Sequence, residues 1–251
     1  MDIKRLIHFG AVWILSGNKK KRLRRNDYHL SSTENAILHF DAKILDQIKN
    51  RTNGRDEPVE LFNFKTWGIW FKPAGYLSQG SPFGDLWSVQ RFVEKKYKTA
   101  HLIHRLDLEV SGLLVLAYNS NSASSLSRIW NERQLEKYYL AKVLGITQEK
   151  GWHTISKKVE EKESETKFQT LRFENNISLI EINLLTGRKH QIRIHLESIG
   201  HPIIGDPRYG KKNKNSEGLC LQAYKLKLKG PGMTKMDEFV LPEKYLLFSL
   251  K

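Results

Sequence analysis

Apolar and polar positions along the chain change period several times, and each change predicts an element. Residues 113–117 (LLVLA) form an unbroken apolar run behind Ser111-Gly112, which predicts a buried strand. Residues 67–71 (WGIWF) form a second run, stopped by Pro73 and Gly75. The aromatic and β-branched content of residues 136–144 predicts another strand. Alternation at 166–170 and 180–184 makes 152–184 a succession of strands. Helical spacing takes over elsewhere. Leu86, Val89, Phe92 or Val93, and Lys96 or Tyr97 follow Asp85, which reads as an N-cap. Ala123, Leu126, Ile129 or Trp130, and Arg133 predict a helix over 122–133. Ile192, Leu196 and Ile199 make one apolar helical face that Gly200 ends.

The first fifty residues read as a small unit. Residues 4–9 suit a helical turn, 11–15 and 36–40 suit strands, and 16–18 suit a turn. Residues 49–58 (KNRTNGRDEP) are polar and carry Gly54 and Pro58, the composition of a linker. The chain therefore divides into a module at 1–50, a linker at 51–60 and a larger domain at 61–251. No internal repeat or extended low-complexity tract interrupts this division.

Composition narrows the partners. With 251 residues and 39% hydrophobic content the chain can bury a substantial core. It has no run of 18 apolar residues, and its first fifteen residues are broken by charges, so neither a membrane span nor a signal peptide is expected. Forty-two Lys and Arg against 27 Asp and Glu leave a net charge of +15. That balance favours a polyanionic partner, because each neutralised phosphate releases counterions. The densest cluster is KKKRLRR at 19–25: Lys19, Lys20, Lys21, Arg22, Arg24 and Arg25. The same cluster also suits an ordinary solvated surface loop. A lone cysteine, Cys220, excludes internal disulfides, fits a reducing cytoplasmic compartment, and reads as buried between Leu219 and Leu221.

Candidate chemistry centres on Asp107. It follows His104 and Arg105 on the approach to the 113–117 strand, where a rigid scaffold can aim a loop side chain. A carboxylate beside a cation stays ionised at neutral pH, and can act as nucleophile, base or electrostatic stabiliser. The same residue also suits a turn cap or a partner for Arg105. Arg188, Lys189 and His190 sit in the first turn of the 190s helix, against its dipole, which points to recruitment for binding. The nine histidines are scattered, with no zinc spacing, and neither a phosphate-binding loop, a dinucleotide glycine motif nor a G-x-S-x-G elbow is present.

The pattern HRLDxxxSGLLVLA at 104–117 resembles the central motif of the RluA-type pseudouridine synthases. Three further segments, in order across 64–230, are similar to that family's other motifs. They are WFKPAG at 70–75, the Lys137-x-Tyr139 strand head, and TGRKHQIRIHL with GHPIIGD at 186–206. A closing segment at 218–228 carries Gln222 where the family usually has His, and Phe71 stands where it usually has Asn. The N-terminal strands around the basic cluster are similar to a shortened RNA-binding module.

The resemblance implies an α+β fold: a large mixed, mainly antiparallel sheet with flanking helices, plus a small N-terminal α+β RNA-binding-like module. It implies an isomerase that turns specific uridines of structured RNA, ribosomal or transfer, into pseudouridine, with no cofactor, metal or protein partner and as a monomer. Asp107 is then the catalytic carboxylate, acting on a carbon or on a ribose proton. Tyr139 is the base for the proton on uracil carbon 5, and Arg193 is the cation that pairs with Asp107. A flipped uridine leaves a gap for His104 or Arg105 to fill. Lys72, Arg188, Lys189, His190 and the 19–25 cluster are expected RNA contacts. Two rivals are a non-catalytic RNA-binding protein with this fold and a nucleic-acid glycosidase, which would release free uracil.

Overall fold

The computed structural model describes residues 2–39, 56–145, 151–210, 213, 215 and 218–248. A helix, Ile3–Phe9, leads into a three-stranded antiparallel sheet of β1 (Val12–Ser16), β2 (Lys19–Arg22) and β3 (Glu34–Leu38), in the order β2-β1-β3. The basic cluster therefore starts as an edge strand rather than a loop. The first half of the expected linker, 51–55, lies outside the described residues, and β4 (Val59–Asn63) already includes its last two positions.

The remaining strands form one mixed sheet of ten among the described residues. They are β4, β5 (Trp67–Lys72), β6 (His101–Leu102), β7 (Ser111–Ala117), β8 (Leu135–Leu144), β9 (His153–Ser156), β10 (Glu165–Glu174), β11 (Ile177–Leu184), β12 (Leu221–Leu228) and β13 (Asp237–Val240). The path runs β4-β5-β7-β12-β8-β11-β10-β9, with β6 beside β7 and β13 beside β12. All pairs are antiparallel except β7 with β12. This is the α+β architecture that the resemblance implies.

The β7–β12 junction is a close backbone approach, and it sets the site. Ser111 pairs with Gln222 and Gly112 with Ala223. Gly112 takes φ +130, and a Cβ there would collide with the Ala223 backbone, so only glycine admits the approach. Gln222 ties the junction together, donating to Ser111 Oγ at 3.0 Å and to the Tyr245 carbonyl at 2.9 Å. Every residue of β5 and β7 is buried, as expected of continuous apolar runs covered on both faces.

Helices Val89–Tyr97, Ser120–Asn131 and Gln191–Ser198 flank the sheet. The first is capped by Ser88, whose Oγ accepts from the Arg91 N–H, so Asp85 is not its N-cap. Asp85 is instead drawn into the contact between the two sheets, where Arg24 grips both its oxygens and Arg22 approaches to 3.5 Å. The Phe9 ring stacks on Trp87 at 5.4 Å and Trp13 Nε1 donates to the Pro82 carbonyl, closing the same contact. In the last helix Ile192 and Leu196 are buried, but Ile199 is the C-cap and stays exposed, because the helix ends one residue too soon to turn it inward. Cys220 is buried. Among the described residues no helix is long and apolar enough to cross a membrane.

Candidate active site

Asp107 stands on the loop between β6 and β7, and the loop is clamped on both sides of it. Ser78 Oγ donates to the Leu106 carbonyl at 2.8 Å and accepts from the Leu106 N–H at 3.0 Å. The Leu108 carbonyl accepts from the Gly75 N–H at 2.8 Å and from Lys72 Nζ at 3.3 Å. The Val110 N–H closes the turn on the Asp107 carbonyl at 3.1 Å. Four hydrogen bonds to its two neighbours leave the Asp107 backbone little freedom, so its side chain is aimed by the scaffold.

This geometry corrects the expectation for Lys72. Its side chain is fully buried, because both faces of β5 are covered, and its ammonium holds the Pro73 and Leu108 carbonyls. Lys72 braces the Asp107 loop and does not meet solvent-borne RNA.

Arg193 and His190 approach the same oxygen of Asp107. Arg193 Nη1 lies 3.5 Å from Oδ2 and His190 Nε2 lies 3.6 Å from it. Arg193 is 1% exposed and its firmer partner is Asp206, reached through Nε at 2.7 Å and Nη2 at 2.6 Å. Burial opposes the Arg193 charge, but the Asp206 hydrogen bonds and charge outweigh it and raise the pKa. Burial likewise opposes ionisation of Asp206. Arg193 and the N–H groups of Arg208 and Tyr209 overcome that and hold it below its ordinary value. The expected Arg193–Asp107 pair therefore exists as the outer contact of a three-member chain, Asp206–Arg193–Asp107.

Tyr139 faces the cavity from β8, registered between Ala223 of β12 and Ile182 of β11. Burial first, then the Asp107 charge, pushes its phenol well above the ordinary tyrosine range, so it stays protonated. Lys137 stands two residues earlier on the same face of β8. Its ammonium reaches across to the 186–188 turn, 3.6 Å from where a Cβ on Gly187 would lie. Burial, aided by Arg133, lowers the Lys137 pKa to about 8.

The open cavity between these walls is about 1010 Å³ and is lined by Asp107, Tyr139, Lys137, His190, Ile192 and Leu184 among others. That volume admits a nucleoside with room for its phosphates. Arg105 and Lys189 are exposed at its rim, and Arg188 is half-buried there with its Nε unpartnered among the described residues. Among the described residues no three His, Cys, Asp or Glu side chains gather as a metal site.

Three further expectations change. His104 does not serve as a mobile wedge. Its ring stacks on Trp130 at 4.5 Å, and its Nε2 accepts from the Val115 N–H at 3.1 Å. Burial, with Lys137 adding to it, pushes His104 down to about 3, and the neutral ring serves as an acceptor for an N–H inside β7. His190 turns its ring inward to Asp107, with its side chain only 9% exposed, rather than outward to RNA. In the N-terminal cluster, Arg22 and Arg24 are spent on Asp85, and Arg25 pairs with exposed Asp27 at 2.9 Å. Lys19, Lys20 and Lys21 remain on the exposed strand, with Lys20 beside His39 and over the Trp13 ring.

Asp206 and Lys137 fall within the family-like motifs quoted above but carried no assigned role there, and neither Tyr209 nor Ser78 was singled out. Asp206, Tyr209 and Ser78 act through contacts 13 to 28 residues away in sequence, and Lys137 was visible only as the head of a strand motif.

The comparisons agree with this picture. A sequence profile of the RNA pseudouridylate synthase family matches residues 67–198. The chain is 31% identical over 201 residues to an uncharacterized RNA pseudouridine synthase of Mycoplasma genitalium, covering 72% of this chain and 65% of that relative. It is 33% identical over 190 residues to another uncharacterized RNA pseudouridine synthase, from Helicobacter pylori, covering 70% of this chain and 73% of the relative. The solved structure of human RNA Pseudouridylate Synthase Domain Containing 1 shares the fold, with a TM-score of 0.64 at 24% identity over 76% of this chain and 85% of the other.

Proposed function

The chain belongs to the RNA pseudouridine synthase family, a family of isomerases, and from that premise we propose that it converts a uridine of structured ribosomal or transfer RNA into pseudouridine with Asp107 as its catalytic carboxylate. The observation that carries this reading is the placement of Asp107: a single carboxylate clamped through both neighbours and pointed into a cavity of nucleotide size.

The reaction breaks the bond from ribose carbon 1′ to uracil nitrogen 1, turns the base, and joins carbon 1′ to carbon 5. Carbon 5 then loses its proton while nitrogen 1 gains one, so mass is unchanged. Asp107 meets the ribose, held from behind by Arg193 and His190. Apolar walls that include Val110, Leu184 and Ile192 exclude water, which keeps the detached uracil from being lost. Tyr139 contacts the base. As a neutral phenol it accepts the carbon 5 proton only while releasing its own. The target base must leave its stack to reach the cavity, and exposed Arg105 at the rim is placed to fill the gap. Lys189, Arg188 and the three exposed lysines of β2 contact the RNA backbone.

The test is Asp107→Asn, a near-isosteric change. It is expected to abolish pseudouridine formation while RNA affinity stays within a few-fold of wild type. Measurable turnover in the purified variant overturns the assignment, and release of free uracil by the wild type overturns the isomerase in favour of a glycosidase. Mapping pseudouridine across cellular RNA with and without the protein identifies the substrate.

A further inference from the structure

Asp206 organises two arms that both end on Asp107. One is Arg193, described above. The other begins where the Asp206 carboxylate accepts from the N–H groups of Arg208 and Tyr209 at 2.8 and 3.0 Å, which fixes the Tyr209 backbone. The Tyr209 hydroxyl then lies 3.0 Å from His190 Nδ1, and His190 Nε2 lies 3.6 Å from Asp107 Oδ2. The His190 backbone is held at φ +56, ψ +17, a left-handed conformation uncommon for a side chain with a Cβ. It contributes no cap to the helix it begins. A strained residue with no capping role, aimed at the candidate catalytic carboxylate, calls for an explanation in the site.

We propose that His190, oriented by Tyr209, is a positioning residue that fixes which oxygen of Asp107 reacts. Asp107 accepts only, so the imidazole nitrogen facing it must carry the hydrogen. Burial, reinforced by Arg193, Arg208 and Lys189 and only partly offset by Asp107, keeps the ring neutral. The bare Nδ1 therefore accepts from the Tyr209 hydroxyl, which selects the Nε2–H tautomer. Both Arg193 and His190 address Oδ2, which leaves Oδ1 without an ion-pair partner among the described residues, and Asp107 lines the cavity. Oδ1 is the oxygen presented to the ribose. Two arms from different directions prevent the carboxyl from rotating about its own axis, which Arg193 alone at 3.5 Å does not.

This inference rests on the isomerase reading, so it is tested at two levels. The first needs no activity: nitrogen-15 spectra of the RNA-free wild type should show His190 with hydrogen on Nε2 and none on Nδ1. In Tyr209→Phe the two tautomers should mix. The opposite tautomer in the wild type overturns the proposal whatever the protein catalyses. The second is the single-turnover rate at saturating RNA. His190→Ala should lower it roughly 10- to 100-fold with RNA affinity unchanged, since small misplacements of a reacting group cost about that much. His190→Gln, which places an amide N–H near the Nε2 position, should recover most of the loss. Tyr209→Phe should cost several-fold alone and nothing more in the His190→Ala background, because it acts only through His190. Additive losses, a Gln variant as slow as Ala, or an unaffected Ala variant each overturn it. A wild type that leaves every uridine unchanged removes the isomerase reading instead, and the spectra still decide the pairing.

Discussion

The Arg193 guanidinium spends its two best hydrogen bonds on Asp206, at 2.7 and 2.6 Å, and offers Asp107 only Nη1 at 3.5 Å. The tight pair is the structural one and the loose contact is the one at the reacting group. That division follows from burial. Arg193 is 1% exposed and the Asp206 side chain 0%, so each needs the other, whereas the Asp107 side chain keeps 28% exposure and meets the cavity.

Breaking the buried pair from either end should therefore destabilise the fold as well as stop the reaction. Arg193→Met and Asp206→Asn are each expected to cost about 3–5 kcal/mol in urea unfolding, since each deprives a buried charge of its closest opposite charge. The double variant should cost less than the sum. Turnover should fall by about 10²-fold or more in both. The folded pKa of Asp206 is depressed, so its contribution is complete above the ordinary value near ~3.9 and is lost as pH falls through the folded one. The stability gap between wild type and Asp206→Asn should thus narrow below about pH 4. A gap that widens in acid contradicts the pairing.

Tyr139→Phe separates chemistry from packing. The phenol oxygen has no hydrogen-bond partner among the described residues, so its removal should change stability by no more than ~0.5 kcal/mol. If the hydroxyl handles the carbon 5 proton, the saturating rate should fall by about 10²- to 10⁴-fold with RNA affinity intact. Wild-type rates would return Tyr139 to the role of a core aromatic.

Lys137 has no carboxylate partner among the described residues and its pKa sits at about 8, below the ordinary 10.5. Below pH 8 the ammonium is charged in both folded and unfolded chains and the full burial cost is present. Between pH 8 and 10.5 the unfolded chain binds the extra proton, so stability rises with pH across that window. Lys137→Met should stabilise the RNA-free protein by roughly 1–3 kcal/mol at pH 7. The gain in melting temperature, about 2–4 °C per kcal/mol, should fade above pH 10. RNA affinity should weaken in the same variant, because a phosphate supplies the missing counter-charge. Destabilisation at pH 7 would show that the ammonium is already satisfied.

The N-terminal cations should divide by partner rather than by sequence. Changing Lys19, Lys20 and Lys21 to Ser should flatten the slope of log affinity against log salt by roughly two units if they contact phosphates. Saturating turnover should barely change. Arg24→Ser should instead cost roughly 1–3 kcal/mol of stability, because it leaves Asp85 with only the 3.5 Å contact from Arg22. Salt titration and thermal melting of the two variants separate the effects, and a salt slope that moves only with Arg24 would reverse the assignment.

Features that depend on local order are legible along the chain. Continuous apolar runs at 67–71 and 113–117 required strands covered on both faces, and β5 and β7 are fully buried. Asp107, Tyr139 and Arg193 could be named because family motifs survive in one dimension and the chain resembles them, and the structure gathers the three at one cavity. Partnership is another matter. Asp206 captures the Arg193 side chain, Tyr209 turns His190 inward, Lys72 disappears into a covered strand, and Asp85 leaves its helix to bind Arg22 and Arg24. A charged side chain is claimed by the nearest opposite charge or carbonyl in space. That neighbour is set by how β7 and β12 meet and how the two sheets pack, and it leaves no periodic trace along the chain.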